Sequence, residues 1–140
     1  MSQSKDHYEA TRWLATAQDD VRAARALRDS AMYAHACFNA QQSAEKAIKA
    51  IWKLHGLEGW GHSIQRLIMD FPYPDIFQDR AEFLQRAVIL DRYYIPTRYP
   101  DSLPDLTPGQ SYFLADAESA IQHAEFFLQA AQEILSRSNT

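Results

Sequence analysis

At 140 residues, with 46% hydrophobic and 23% charged content, the chain has the length and composition of one soluble globular domain that can bury a core without staples. Its formal charge of −4 disfavours the broad electrostatic grip of a general nucleic-acid binder, though not a small local pocket. The lone cysteine, Cys37, excludes an internal disulfide; MSQSKDHYEA has no apolar leader and no apolar run reaches spanning length, so a cytoplasmic protein without a membrane segment is expected.

From about Tyr8 to Asp29, apolar residues at Ala10, Leu14, Ala17, Val21, Ala24 and Leu27 mark one face of a helix. Arg22, Arg25 and Arg28 gather towards its C-terminal end, where the helix dipole favours cations. Ser30 is a candidate cap for a second helix, from near Ala31 to His55, stopped by Gly56. Tyr33, Cys37, Ala40, Ala44, Ala47, Ile48 and Ile51 form its inner stripe, and its alanines allow close approach to the first helix in an antiparallel hairpin.

The stretch LHGLEGWGHS, with Gly56, Gly59 and Gly61, reads as a loop. A short helix follows from His62 or Ser63 to about Met69, and FPYPD breaks it. A fourth helix is predicted from roughly Gln78 to Tyr94, with Phe83, Leu84, Ala87 and Val88 inside. A proline loop runs from Pro96 to about Thr107, and a last helix from Pro108 to Ser136 buries a stripe beginning at Phe113. The expected fold is an all-α, mostly up-and-down helical bundle of four long helices plus one short helix, spanning residues 1–140 as a single domain.

Little in this chain has the spacing that metal or nucleophile chemistry needs. The five histidines show no HxxxH or HExxH pattern, and Cys37 has no partner thiol, so no metal and no cofactor is expected. His35 and Cys37 are two residues apart on a helix and do not face each other. Asp19 and Asp20 read as a solvated edge, as do Lys46 and Lys49 on the polar side of the second helix. The proline loop differs, because Pro96 and Pro100 narrow the backbone freedom of Thr97, Arg98 and Tyr99. A rigidly presented guanidinium suits an anion. The alternative is an Arg98–Asp101 ion pair that pins the loop, with Tyr93, Tyr94 and Tyr99 as packing.

Four segments, ACFNAQQSAEKAIKAI, GHSI, LDRYYIPTRYPD and DAESAIQHAEFFL, occur in this order and together resemble the HEPN (higher eukaryotes and prokaryotes nucleotide-binding) family. The resemblance implies a small helical bundle that forms a homodimer. It also implies a minimal nucleotidyltransferase as partner, in a toxin–antitoxin type of pair. Active members of that family are metal-independent ribonucleases whose motif is an arginine and a histidine separated by four to six residues, near the start of the last helix. Here the corresponding positions after Arg98 are Leu103, Pro104 and Asp105, and none is histidine. Arg28 and His35 have the spacing but straddle the first helical turn, so the pair is read as coincidence. The expectation is therefore a module that binds a nucleotide, an RNA phosphate or a partner nucleotidyltransferase. Arg98 would be the anion contact, with Arg92, Tyr94, Tyr99 and Asp101 shaping the site and His62 beside it. The rival expectation is a ribonuclease toxin with a non-standard set, Arg98 with His62 or His123.

Overall fold

The computed structural model describes residues 2–138, and among them there are α-helices and 3-10 turns but no strand. Helix α1 (Ser2–Asp29) and helix α2 (Tyr33–Leu54) form the hairpin expected from their periodicity. Ala10, Ala17 and Ala24 of α1 and Ala36, Ala40, Ala44, Ala47 and Ala50 of α2 are all fully buried. Such small side chains let the helices approach until the buried Ser43 hydroxyl donates to the Ala17 carbonyl at 2.7 Å.

Ser30 does not cap α2. Its amide is still bonded to the Ala26 carbonyl (3.1 Å), Ala31 takes a left-handed φ of 60°, and the Met32 amide returns to the Leu27 carbonyl (2.8 Å). The reversal is thus closed by backbone alone, and α2 begins two residues later than the serine suggests. Its other end matches the expectation: Gly56 has φ 69°, the conformation glycine adopts at least cost.

Helix α3 (Ile64–Asp70) is capped by the Ser63 hydroxyl, which accepts the Arg66 amide at 3.0 Å. A 3-10 turn, Pro74–Ile76, follows. Helix α4 (Arg80–Asp91) has 12 residues, shorter at both ends than the predicted Gln78–Tyr94. The Asp79 carboxylate accepts the Glu82 amide and sets its start, while its last residue, Asp91, is engaged by α3. Edge-on and tilted ring contacts run from Trp52 through Phe71, Phe77 and Phe83 to Phe126 and Phe127, tying this half of the molecule to the core.

The predicted last helix is divided. Helix α5 (Pro108–Ser111) is a single turn held by a Thr107–Gln110 capping box; Tyr112 is extended, and helix α6 runs Leu114–Ser138. The Phe113 amide donates to the Asp116 carboxylate at 2.8 Å, a cap that starts α6 afresh. Phe113, expected at the head of the buried stripe, is instead 67% exposed. From Ala117 onward the stripe is as predicted, with Ala120, Ile121, Ala124, Phe127, Leu128, Ala131 and Leu135 buried. Helix α6 packs on α1 and α2, and α4 lies against α3 and α6. The all-α bundle is therefore the one expected, with α4 as its short arm. Among the described residues no helix is long and apolar enough to cross a membrane.

Candidate functional site

Two of the sequence segments, GHSI and LDRYYIPTRYPD, meet at one carboxylate. Asp91 accepts the Ile64 amide (2.8 Å), the Gln65 amide (3.0 Å) and the Ser63 hydroxyl (3.0 Å). These are the donors that the start of α3 leaves without partners inside the helix, and an anion there is favoured by the helix dipole. The clamp fixes His62, one residue before Ser63, beside the segment that follows Asp91.

That segment turns immediately after α4 and carries Arg98 back over α2. Thr97 is buried, and its hydroxyl donates to the Tyr93 carbonyl, which closes the turn around Pro96. Arg98 Nε donates to the Tyr94 carbonyl at 2.9 Å. The guanidinium carbon then lies 4.3 Å from the Phe38 ring centroid, 4.7 Å from Tyr94 and 5.1 Å from Tyr99. Each cation–ring contact of this kind contributes on the order of 0.5–1 kcal/mol at a partly exposed site. No carboxylate of the described residues pairs with Arg98, and its two terminal nitrogens have no hydrogen-bond partner. The Arg98–Asp101 ion pair is therefore not formed; stacking and one carbonyl do the pinning. A guanidinium held by three rings and one carbonyl, with no protein partner on its terminal nitrogens, is suited to an anion.

His62 joins the same aromatic group. Its ring stacks on Tyr94 with centroids 4.9 Å apart and planes 17° apart. Helix α2 holds it twice: Gln41 Nε2 donates to the His62 carbonyl (2.9 Å), and Nδ1 lies 3.3 Å from Glu45 Oε2. Glu45 is only 3% exposed, and its other contacts are Lys49 Nζ at 3.0 Å and Gln42 Nε2 at 3.2 Å. Lys46 reaches back to Asp20 on α1 at 2.7 Å. Lys46, Lys49 and Asp20 are thus paired and partly buried, where a solvated edge was expected.

The far side of the loop is anchored in the core. Tyr93 meets Tyr112 edge-on at 5.9 Å. Burial, with the Asp116 charge nearby, pushes the Cys37 thiol up to about 12. Burial also raises Tyr93 to about 12 and moves Tyr112 upward, with Cys37 and Asp116 adding to both. His123 sits elsewhere, its Nδ1 3.4 Å from Arg86 Nη1; burial and the Arg86 charge lower its pKa.

Of the residues singled out in the sequence, Arg98, Tyr94, Tyr99 and His62 converge. Arg92 and Asp101 are exposed and make no hydrogen bond or ion pair with that cluster. Sequence reasoning missed Phe38, Gln41, Glu45 and Asp91. The signal for two of them was present: Gln41 and Glu45 fall four and eight residues after Cys37, on the buried stripe of α2, where polar residues need a partner. Among the described residues no group of three or more His, Cys, Asp or Glu side chains is placed to hold a metal ion.

The sequence pattern of the HEPN domain matches residues 10–135. The chain belongs to the HEPN family. Similar solved structures include TT1696 from Thermus thermophilus, with 37% identity, a TM-score of 0.80, and 89% of this chain and 97% of that one covered. ST0689, described as an archaeal HEPN homologue, has 35% identity and a TM-score of 0.73 over 90% of this chain and 97% of its own. The HEPN domain protein tm0613 from Thermotoga maritima has 29% identity and a TM-score of 0.70, with 90% and 98% covered. Among curated proteins, the Methanocaldococcus jannaschii protein named "Putative toxin MJ1304" is 25% identical over 126 residues, 85% of this chain and 83% of that protein.

Proposed function

We propose that this HEPN domain is a homodimeric binding module for an anionic ligand, a nucleotide or an RNA phosphate, with Arg98 as the anion contact. The observation that carries this reading is a guanidinium fixed by three rings and one carbonyl, with no carboxylate partner and its fork unoccupied. Because the side chain is already ordered, little rotamer freedom is lost when a phosphate docks. The neighbouring exposed ring of Tyr99 suits a base or ribose. A minimal nucleotidyltransferase, as in a toxin–antitoxin type of pair, is the partner that the family resemblance supports. Calorimetry with nucleoside triphosphates and short RNAs tests the ligand half: wild type binds, and Arg98→Ala loses at least tenfold in affinity. Absence of binding by the wild type refutes it.

A ribonuclease reading has one observation in its favour: the Arg98 guanidinium and the His62 ring contact the same Tyr94 ring. An arginine would stabilise the charged phosphorane while a histidine moves the 2′-hydroxyl proton. No histidine stands at the family's motif spacing after Arg98, so binding without cleavage is the preferred reading. Intact RNA after incubation with excess protein, and unimpeded growth on expression, are the outcomes expected.

A further inference from the structure

We infer that Glu45 is a positioning residue for this site, acting through His62, and that it makes His62 Nε2 a hydrogen-bond acceptor towards the ligand. This inference rests on the anion-binding reading of Arg98, and it adds what the second contact recognises. Glu45 is nearly fully buried, which is costly for a carboxylate unless it is paired. It is paired: Lys49 donates to Oε2 and Gln42 to Oε1. A carboxylate so engaged only accepts, so the His62 nitrogen 3.3 Å from it is the one that carries a proton. In a neutral ring, the proton on Nδ1 leaves the lone pair on Nε2.

The orientation of the ring is set independently. Gln41 Nε2 donates to the His62 carbonyl, and Gln42 Nε2 bonds Gln41 Oε1 at 2.8 Å, so both glutamines join the same network. Asp91 fixes the following residue, and Tyr94 covers one face of the ring. The His62 side chain itself is 58% exposed, so it is held by buried groups yet open to a ligand. Its acceptor accompanies a fork of donors on Arg98, reached through one shared ring. A ligand that offers an anion to Arg98 and a hydroxyl to His62 satisfies both; a ribose 2′-hydroxyl next to a phosphate has that pattern. Glu45 touches no ligand in this scheme and acts only by fixing tautomer and orientation, as carboxylates do for metal-bound histidines.

The test has two parts on the full chain. Nitrogen-15 NMR of the histidine rings reads the His62 tautomer without any ligand. The expected result is Nδ1–H in the wild type and a mixture in Glu45→Gln, because an amide can turn either a donor or an acceptor towards the ring. Nε2–H in the wild type overturns the inference. Calorimetry then compares a short RNA with the DNA of the same sequence. Wild type should prefer RNA by about tenfold, the scale of one hydrogen bond. His62→Phe, which keeps a ring against Tyr94, should lose that preference, its affinity for the RNA falling to that for the DNA. Equal binding of RNA and DNA by the wild type, both lost in Arg98→Ala, would leave the anion site standing and reject the role of His62. Should neither oligonucleotide bind, the anion reading fails, and a mixed wild-type tautomer would still count against Glu45 separately.

Discussion

The Asp91 carboxylate accepts the Ile64 amide at 2.8 Å across 27 residues of sequence, joining the end of α4 to the start of α3. With Ser63 and Gln65 also donating, one side chain satisfies three groups at a helix N-terminus. Asp91→Ala removes all three bonds and the favourable charge. The expected cost is about 2–3 kcal/mol, seen as a fall in melting temperature of roughly 5–10 °C. Asp91→Asn, with one acceptor oxygen in place of two, should fall between. A change of less than about 0.5 kcal/mol in urea unfolding, the usual range for an unengaged surface residue, would show that the clamp is ornamental.

Arg98 makes separable contributions to stability and binding. Its stack on Phe38, Tyr94 and Tyr99 is a structural contact, so Arg98→Ala should lower unfolding stability by about 1–2 kcal/mol. Arg98→Lys keeps the charge but loses the planar fork and its Nε bond to Tyr94. Affinity for a short RNA should therefore drop about tenfold or more in the lysine variant, and the remaining binding should weaken faster with added salt. If the lysine variant binds as tightly as the wild type, the site reads charge alone.

The sequence made the helices legible wherever one apolar stripe ran unbroken. The faces of α1 and α2, from Ala10 to Ile51, and the body of α6 from Ala117 are where periodicity placed them. Helix ends were less legible, because a cap depends on which side chain captures the backbone first. Ser30 lost to backbone closure, and Asp116 broke a helix through a region whose apolar spacing continued unbroken. For the site, the prolines singled out the correct loop, but spacing suggested Asp101 as the partner of Arg98. Of the actual partners, Tyr94 and Tyr99 belong to the same loop and were named with Arg98, whereas Phe38 comes from α2 and only tertiary packing brings it within reach. Glu45 was legible in part: its spacing from Cys37 sets it on the inner stripe of α2, but its contact with His62 comes only with the folded structure.

Alkaline pH should unfold the protein through the groups beneath the loop. The Cys37 thiol, ordinarily at 9.0, is pushed up to about 12 by burial and by Asp116, and Tyr93 is raised from 10.0 to about 12. An acid with a raised pKa in the folded state stays protonated there while the unfolded chain has released its proton. Stability is therefore full below pH 9 and declines as pH rises towards 12. Each such group steepens the decline by up to about 1.4 kcal/mol per pH unit. Cys37→Ala, compared with the wild type by urea unfolding from pH 7 to 11, should flatten this limb. The native thiol should also resist alkylation at pH 8 and react once the chain is unfolded. Rapid alkylation of the native protein would contradict the burial.

His123 gives the opposite sign and separates the two candidate histidines of the ribonuclease reading. Burial lowers its pKa from 6.5, and the Arg86 guanidinium, donating to Nδ1 from 3.4 Å, lowers it further. The folded state thus holds a neutral ring while the unfolded chain takes up a proton on acidification. The associated stability is present above about pH 6.5 and is lost as pH falls through the depressed value. Arg86→Met removes the charge and should raise the His123 pKa in a proton NMR titration, whereas Glu82→Gln, which leaves the guanidinium in place, should not raise it. An unchanged His123 titration in Arg86→Met would leave burial as the sole cause. The same residue discriminates function, since its polar partner is Arg86 and not Arg98. If the protein is assayed on RNA, any cleavage that requires Arg98 should survive His123→Ala and disappear in His62→Ala. Loss of cleavage in the His123 variant would place the chemistry on the α4–α6 side of the bundle, away from the loop.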